Sequence, residues 1–502
     1  MKKTLASLVL LSSFTVLADS GTLLNQAGSD IDLTSQIQGQ KQLKLDNPYV
    51  IQLYSSWKAL GNSDYSSGQW VELILNKEHD KALGLLPTIK DSKFLAIKEA
   101  SELYLLFETG NYQTFFNKWI ELSSNGKFLQ TELAVALDQI VGPKTTQLIM
   151  ENGFYLTKEN SEKLKRIETF NSKINFSLQA LKALRSRENA VVWIGKLDET
   201  DPLRLPLAQT AILHYAKDGK LGASGKLLKG VVEPLIKNSN NTEELSLYFV
   251  TLARLLYQAG ATGEAKKYYD LIPESSNYFL TARTEALWAH LKDKDYSRTK
   301  GELATLELGV FNDKFYPEAY LVSAMASVKL CEFSDAKSAI NRFITVNRKW
   351  AQEIEKNISN PNAPAITKNF FLTNLEKAKK SLLAEKKNLE AKKLSTQYTQ
   401  SIDGLVSSID SVVKAEIQSQ WKNRKTVLET ALYKMRFVKI ELISRMRQFN
   451  LNQKIADSDE VSQQSAATVR RNQLSFPYDG VLWGDELFNM SAAVKNKCIR
   501  GN

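Results

Sequence analysis

Apolar residues recur three and four positions apart through most of the chain, which is the repeat of an amphipathic helix. Between Leu247 and Ile272 two such runs are separated by a turn at Gly260–Gly263. This predicts a helix–turn–helix unit. Six places share its register. The residue opening the second helix of each unit is usually small: Ala82, Phe115, Ser224, Ala265, Thr299 and Ala336. An apolar or aromatic residue follows four later, at Leu86, Trp119, Leu228, Tyr269, Leu303 and Ile340. The better units add another after three more, at Leu122, Ile272 and Phe343. Neighbouring units stand 33 (82→115), 34 (265→299) and 37 (299→336) residues apart, and one step (224→265) is 41. Matching turns read Gly110-Asn111-Tyr112, Lys294-Asp295-Tyr296 and Cys331-Glu332-Phe333. Small residues let the two helices of a pair approach, and the large residue fills the groove made with the next pair. One pair cannot bury that face alone, so the pairs are expected to stack.

These residues resemble the tetratricopeptide (TPR) family, whose unit is about 34 residues. The best matches are 247–275, 278–308, 317–346 and 99–124, and the resemblance extends over about half of the chain. Phe115 and Thr299 replace the usual small Ala, and the Pro that closes each family repeat is mostly missing. The resemblance implies an all-α fold, a TPR-like α-solenoid over residues 46–365, whose extended surface binds proteins. Within it, 125–200 reads as irregular helical pairs. Gly142-Pro143 is expected to break a helix and Asn152-Gly153 to turn, with helices at 159–187 and 203–217.

From Ala365 to Ser475 there is no proline, and Gly404 is the only glycine. Few breakers over that length predict long helices. One apolar stripe runs through Leu375, Leu382, Leu389, Ile402, Leu405, Ile409, Val412 and Ile417. A second runs through Val427, Leu428, Ala431, Met435, Val438, Leu442, Met446 and Phe449. The spacing is coiled-coil-like without strict heptads. Two or three helices folding back over 366–456 satisfy it, and so does a dimeric coiled coil.

Composition sharpens this picture. With 23 Gly and 11 Pro in 502 residues, the chain lacks the turns of a sandwich, barrel or propeller. Two Cys exclude a disulfide-dense scaffold. The net charge of +11 is not spread evenly. Residues 366–502 carry a net +9, 19–365 are balanced, and Lys2 and Lys3 supply the rest. Lys379-Lys380, Lys386-Lys387 and Lys392-Lys393 recur about one heptad apart. They form a candidate basic stripe for an anionic wall polymer or lipid, or simply a solvated helix face.

The first 18 residues read as a cleavable signal peptide: basic Lys2-Lys3, an apolar run from Leu5 to Leu17, and Val16-Leu17-Ala18 as the cleavage site. An uncleaved anchor is the competing reading. Residues 19–45 are a polar lead-in, and no later stretch is long and apolar enough to span a membrane. The expected location is the periplasm or the outer membrane, away from nucleic acid.

The chain closes with a linker and tail over 457–502. Phe476, Tyr478, Trp483, Leu487 and Phe488 are too many large apolar side chains for a solvated end. They are candidate docking residues, for the chain's own helices or for a partner. The ending resembles that of envelope helical-repeat proteins of gliding and predatory bacteria. In an oxidising compartment the two Cys permit one intramolecular bond, Cys331–Cys498. A buried free Cys331 and an intermolecular bond remain alternatives.

No constellation of catalytic residues emerges. His79, His214 and His290 lack metal-ligand spacing. Gly222–Leu227 fails the phosphate-loop spacing, and Glu274-Ser275 sits between repeats without a lysozyme-like domain after it. The expectation is a non-enzymatic scaffold without cofactor or metal. It would bind envelope proteins of a motility, secretion or cell-wall assembly. The alternatives are a module for an anionic wall or lipid component and a regulator of a cell-wall enzyme.

Overall fold

A computed structural model describes residues 47–60, 65–124, 126–186, 190–237, 239–306, 311, 313–391, 396–455, 491–494 and 496–498. Among them every regular element is helical. Residues 1–46, where the signal peptide and lead-in are expected, most of 456–502, and Lys392 and Lys393 lie outside them.

The first helices are α1 (Pro48–Ala59), α2 (Tyr65–Leu75), α3 (His79–Leu85), α4 (Leu95–Glu108), α5 (Tyr112–Ser123) and α6 (Glu132–Asn152). Then come α7 (Lys158–Arg166), α8 (Lys173–Ser186), α9 (Ala190–Ile194), α10 (Arg204–Lys217) and α11 (Leu221–Leu227). A π-turn at Leu228–Val232 leads into α12 (Glu233–Ile236). The array ends with α13 (Thr242–Gln258), α14 (Thr262–Asp270), α15 (Phe279–Lys292), α16 (Tyr296–Leu306), α17 (Pro317–Lys329) and α18 (Phe333–Ser359). Two more helices follow: α19 (Phe370–Ala391) and α20 (Thr396–Ile455). Several starts are capped locally. Asn47, Thr131, Thr157 and Asn241 each accept from backbone N–H groups of the first turn, satisfying donors that the helix leaves unpaired.

Six helix pairs turn in the same way. At each, one residue takes a positive φ: Lys77 60°, Gly110 77°, Gly219 74°, Gly260 85°, Lys294 60° and Cys331 55°. The next N–H donates back to the carbonyl five residues earlier, at 2.8–2.9 Å, from Glu78 to Leu73 through Glu332 to Ser327. This is the Schellman closure of a helix C-terminus. Each turn lies five residues before one of the six aligned positions, and all six of those side chains are buried. So are the residues four later, from Leu86 to Ile340. The core passes from one pair to the next, with Ala180 and Leu181 in adjoining clusters, as do Leu255 and Val250.

Two expectations fail between 125 and 200. Gly142-Pro143 does not end a helix, because α6 runs through both. Tight packing holds it there: a Cβ on Gly142 would stand 2.6 Å from Lys173 Cβ. The helix expected at 159–187 is two helices, α7 and α8. Asp138 of α6 starts the second by accepting from Lys173 N at 3.0 Å, Ile174 N at 2.9 Å and Ser172 Oγ at 2.8 Å.

Helix α20 is 60 residues long. It packs on α19 along its first part and on α17 and α18 along its last. Ile402, Ile409, Trp421, Leu428, Ala431, Met435, Val438 and Leu442 are buried within this one chain, whereas Val427 of the expected stripe is exposed. In between, Gln420 accepts from Ile366 N and Thr367 N at 3.0 and 3.2 Å. Arg424 lies against the rings of Phe315, Trp350 and Trp421, 4.7–5.5 Å from their centroids. Because α19 also packs on α5 and α6, α20 straps the early part of the array to its end. None of the helices among the described residues is long and apolar enough to cross a membrane.

Candidate functional site

The strap meets the early array at a built joint. Gly153, just past α6, has φ +68°, and a Cβ there would meet Asn374 O at 2.2 Å and Ala378 N at 2.5 Å. Only glycine lets α19 come this close. Asn374 then pairs with Phe154 twice: it accepts from Phe154 N at 3.2 Å and donates to Phe154 O at 2.8 Å. About three turns further along α19, Glu385 reaches the start of α5. Its carboxylate accepts from Gln113 N at 2.7 Å and from Thr114 N and Oγ1 at 3.2 and 3.0 Å. Burial pushes this carboxyl up to about 7, against the pull of those donors. A hydrogen bond between Tyr398 and Glu102 closes the far edge.

Beside this joint lies a cavity of about 590 Å³ between α8, α10, α13 and the start of α19. Leu184, Leu213, Leu247, Phe370 and Phe371 make its wall apolar, and Thr210, Thr251 and Asn369 add polar points. Arg254 at its edge is held by Glu285, with nitrogen–oxygen distances of 2.7–3.1 Å.

Within each described pair the two lysines have different surroundings. Lys379 pairs with Asp410 at 2.6 Å and Lys386 with Asp403 at 2.8 Å, both across the α19–α20 hairpin. Lys380 and Lys387 are exposed. Cys331 and Cys498 form a disulfide, with Cα atoms 5.1 Å apart. The last described residues run along the turns: Ala492 N donates to Ser297 O at 3.1 Å, Ser297 Oγ to Ala492 O at 2.6 Å, and Lys497 N to Leu330 O at 2.9 Å. Phe476, Tyr478, Trp483, Leu487 and Phe488 lie outside the described residues.

The three histidines stay apart. His79 is 3.8 Å from Glu108 and His214 3.3 Å from Asp218. His290 is buried, 3.4 Å from Asp295 and 3.2 Å from Glu302, which also meets Arg298 at 3.2 Å. Burial lowers the imidazole's proton affinity, and the two carboxylates more than reverse this, so its pKa is raised. The contact with His290 holds Asp295 down at about 2. Nothing in the sequence signalled the His290 cluster or Glu385, because their partners come from separate elements. Among the described residues no group of three His, Cys, Asp or Glu side chains could hold a metal ion. No known protein family, curated protein or solved structure matches the chain.

Proposed function

We propose that this protein is an exported, non-enzymatic scaffold of the bacterial envelope, a TPR-like solenoid that binds other proteins in a periplasmic assembly. The observation that carries this reading is the set of six turns with one geometry, each five residues before a buried aligned position. Stacked pairs of this kind supply extended surface rather than an enclosed reaction site. The cavity beside α19 is where a partner's apolar side chain would enter, with Leu213 58% exposed on its wall.

Chemical crosslinking in intact cells tests this, followed by purification of the native protein and of Leu213→Glu. The expected result is a defined set of periplasmic proteins that the variant recovers in reduced amount. Recovery of the wild type alone would sink the reading. N-terminal sequencing of the purified protein gives Asp19 if export and cleavage occur, and a retained Met1 would refute them. The alternative, an anionic wall or lipid surface bound by the basic helices, has less to draw on, since Lys379 and Lys386 already have carboxylate partners. Salt-sensitive sedimentation with purified cell wall, lost on neutralising Lys380 and Lys387, would favour it instead.

A further inference from the structure

Helix α20 is apolar on both sides. Its packed side meets α17 and α18 through Ala431, Met435, Val438 and Leu442. On the opposite side Tyr433, Phe437 and Ile440 recur at i, i+4 and i+7, with Leu432 and Ile443 beside them, and all five are 40–63% exposed. The Tyr433 and Phe437 rings meet edge to face, 4.9 Å between centroids. Arg436, Lys439 and Arg447 are exposed along the same stretch. A contiguous apolar patch of this kind calls for an occupant.

Three observations select it. The first is where the chain goes. It leaves α20 at Ile455 and is pinned again at Ala492, on Ser297 of α16, and at Cys498, on Cys331. Helices α16, α17 and α20 share one core cluster, so the chain leaves and rejoins the same helical layer, and the intervening segment has to pass around α20 between those two points. Its 35 residues, 456–490, span up to ~115 Å when extended. The way back along α20 from Ile455 to Tyr433 is only ~33 Å. The second is composition. Residues 475–490 contain Phe476, Tyr478, Trp483, Leu487 and Phe488, together with Asp479, Asp485 and Glu486, and neither Lys nor Arg. The third is charge. A second copy docked symmetrically would set Arg436, Lys439 and Arg447 against themselves, whereas an acidic segment complements them.

We propose that residues 476–488 dock on the Tyr433–Ile443 face of α20 in the same chain. Their aromatic side chains cover Tyr433, Phe437 and Ile440, and their carboxylates face the arginines and lysine. Tethering at both ends makes the encounter intramolecular, so a modest apolar anchor is enough to hold it. This inference is independent of which proteins the array binds.

The test uses the full-length, disulfide-bonded protein with p-benzoylphenylalanine at position 440. After irradiation, mass spectrometry is expected to find the crosslink within 476–488 at monomer mass. A crosslinked dimer, a crosslink elsewhere, or none at all overturns the proposal. In a second measurement, the double variant Phe437→Lys, Ile440→Lys keeps its helical content but is cleaved within 457–490 about tenfold faster than wild type by a dilute protease. Equal rates overturn it. So does wild-type binding to phosphatidylglycerol vesicles that the double variant loses while its cleavage rate stays unchanged, since that result assigns the face to a lipid surface.

Discussion

The two ends of the strap are held by different physics. At the early end, α19 docks through polar groups that each have a defined partner: Asn374 on Phe154, Glu385 on the start of α5, and a glycine cleared for the approach. At the late end, α20 lies on α17 and α18 through an apolar stripe, with Lys329–Glu441 at 3.0 Å on the rim. The polar joint admits one register, because a shift leaves buried donors and acceptors unpaired. The apolar one tolerates repacking, because the contact is non-directional. The same contrast separates a joint whose buried carboxyl titrates at about 7 from one whose rim carboxyl, Glu441, despite the opposing effect of partial burial, is held below its ordinary range by Lys329.

The largest expected effect is at the polar end. Gly153→Ala places a methyl against the backbone of α19, in a conformation open essentially to glycine alone. A loss of about 4 kcal/mol is expected. Denaturant titration measures it, and hydrogen exchange should place the damage in α19 and the first turn of α5. Protection confined to its wild-type pattern would mean that the joint is not what holds α19.

Next comes pH. The folded pKa of Glu385 lies at about 7, above the ordinary 4.5, so the folded joint favours the protonated carboxyl. That contribution is complete below about pH 4.5 and is lost as pH rises through 7. Its size is about 3 kcal/mol. The raised pKa of His290 acts in the same direction, its contribution disappearing as pH rises through that folded value. Thermal melts at pH 5 and pH 8 should show a larger drop for wild type than for Glu385→Gln. Equal drops would remove Glu385 from the account.

At the apolar end, Met435→Ala should cost about 2–3 kcal/mol, with little change in slope against pH. A pH-dependent effect there would erase the distinction between the two ends. The smallest effect is a gain. Lys294 holds a left-handed conformation that favours glycine, so Lys294→Gly should raise stability by about 0.5–1 kcal/mol. A decrease would show that the lysine side chain contributes more at this turn than its backbone costs.

What could be read along the chain was local. The six aligned positions follow from side chains within one turn of each other, so periodicity located them even where Phe115 and Thr299 broke the family pattern. The length of α20 followed from a lack of breakers. Val427 was assigned to the wrong side because neighbouring apolar positions satisfy either face. The strap's joint was not legible, since Glu385 and Gln113 are 272 residues apart and no pattern marks such a pair. Lysine pairs look alike in sequence, and only the hairpin gives Lys379 and Lys386 their carboxylates. Pro143 reads as a breaker, yet the packing of α6 on α8 outweighs the backbone hydrogen bond it forfeits.

The 60-residue strap also has a mechanical meaning. A free stack of helix pairs extends and recoils like a spring, because each interface yields a little. Helix α20 is about 90 Å long and links helices α4–α6, through α19 and Tyr398, to α17 and α18, so it acts as a cross-tie. Pulling the joined regions apart has to strain this helix and its two joints as well as the interfaces between pairs. Such a cross-tie makes the body stiffer than the helix pairs alone.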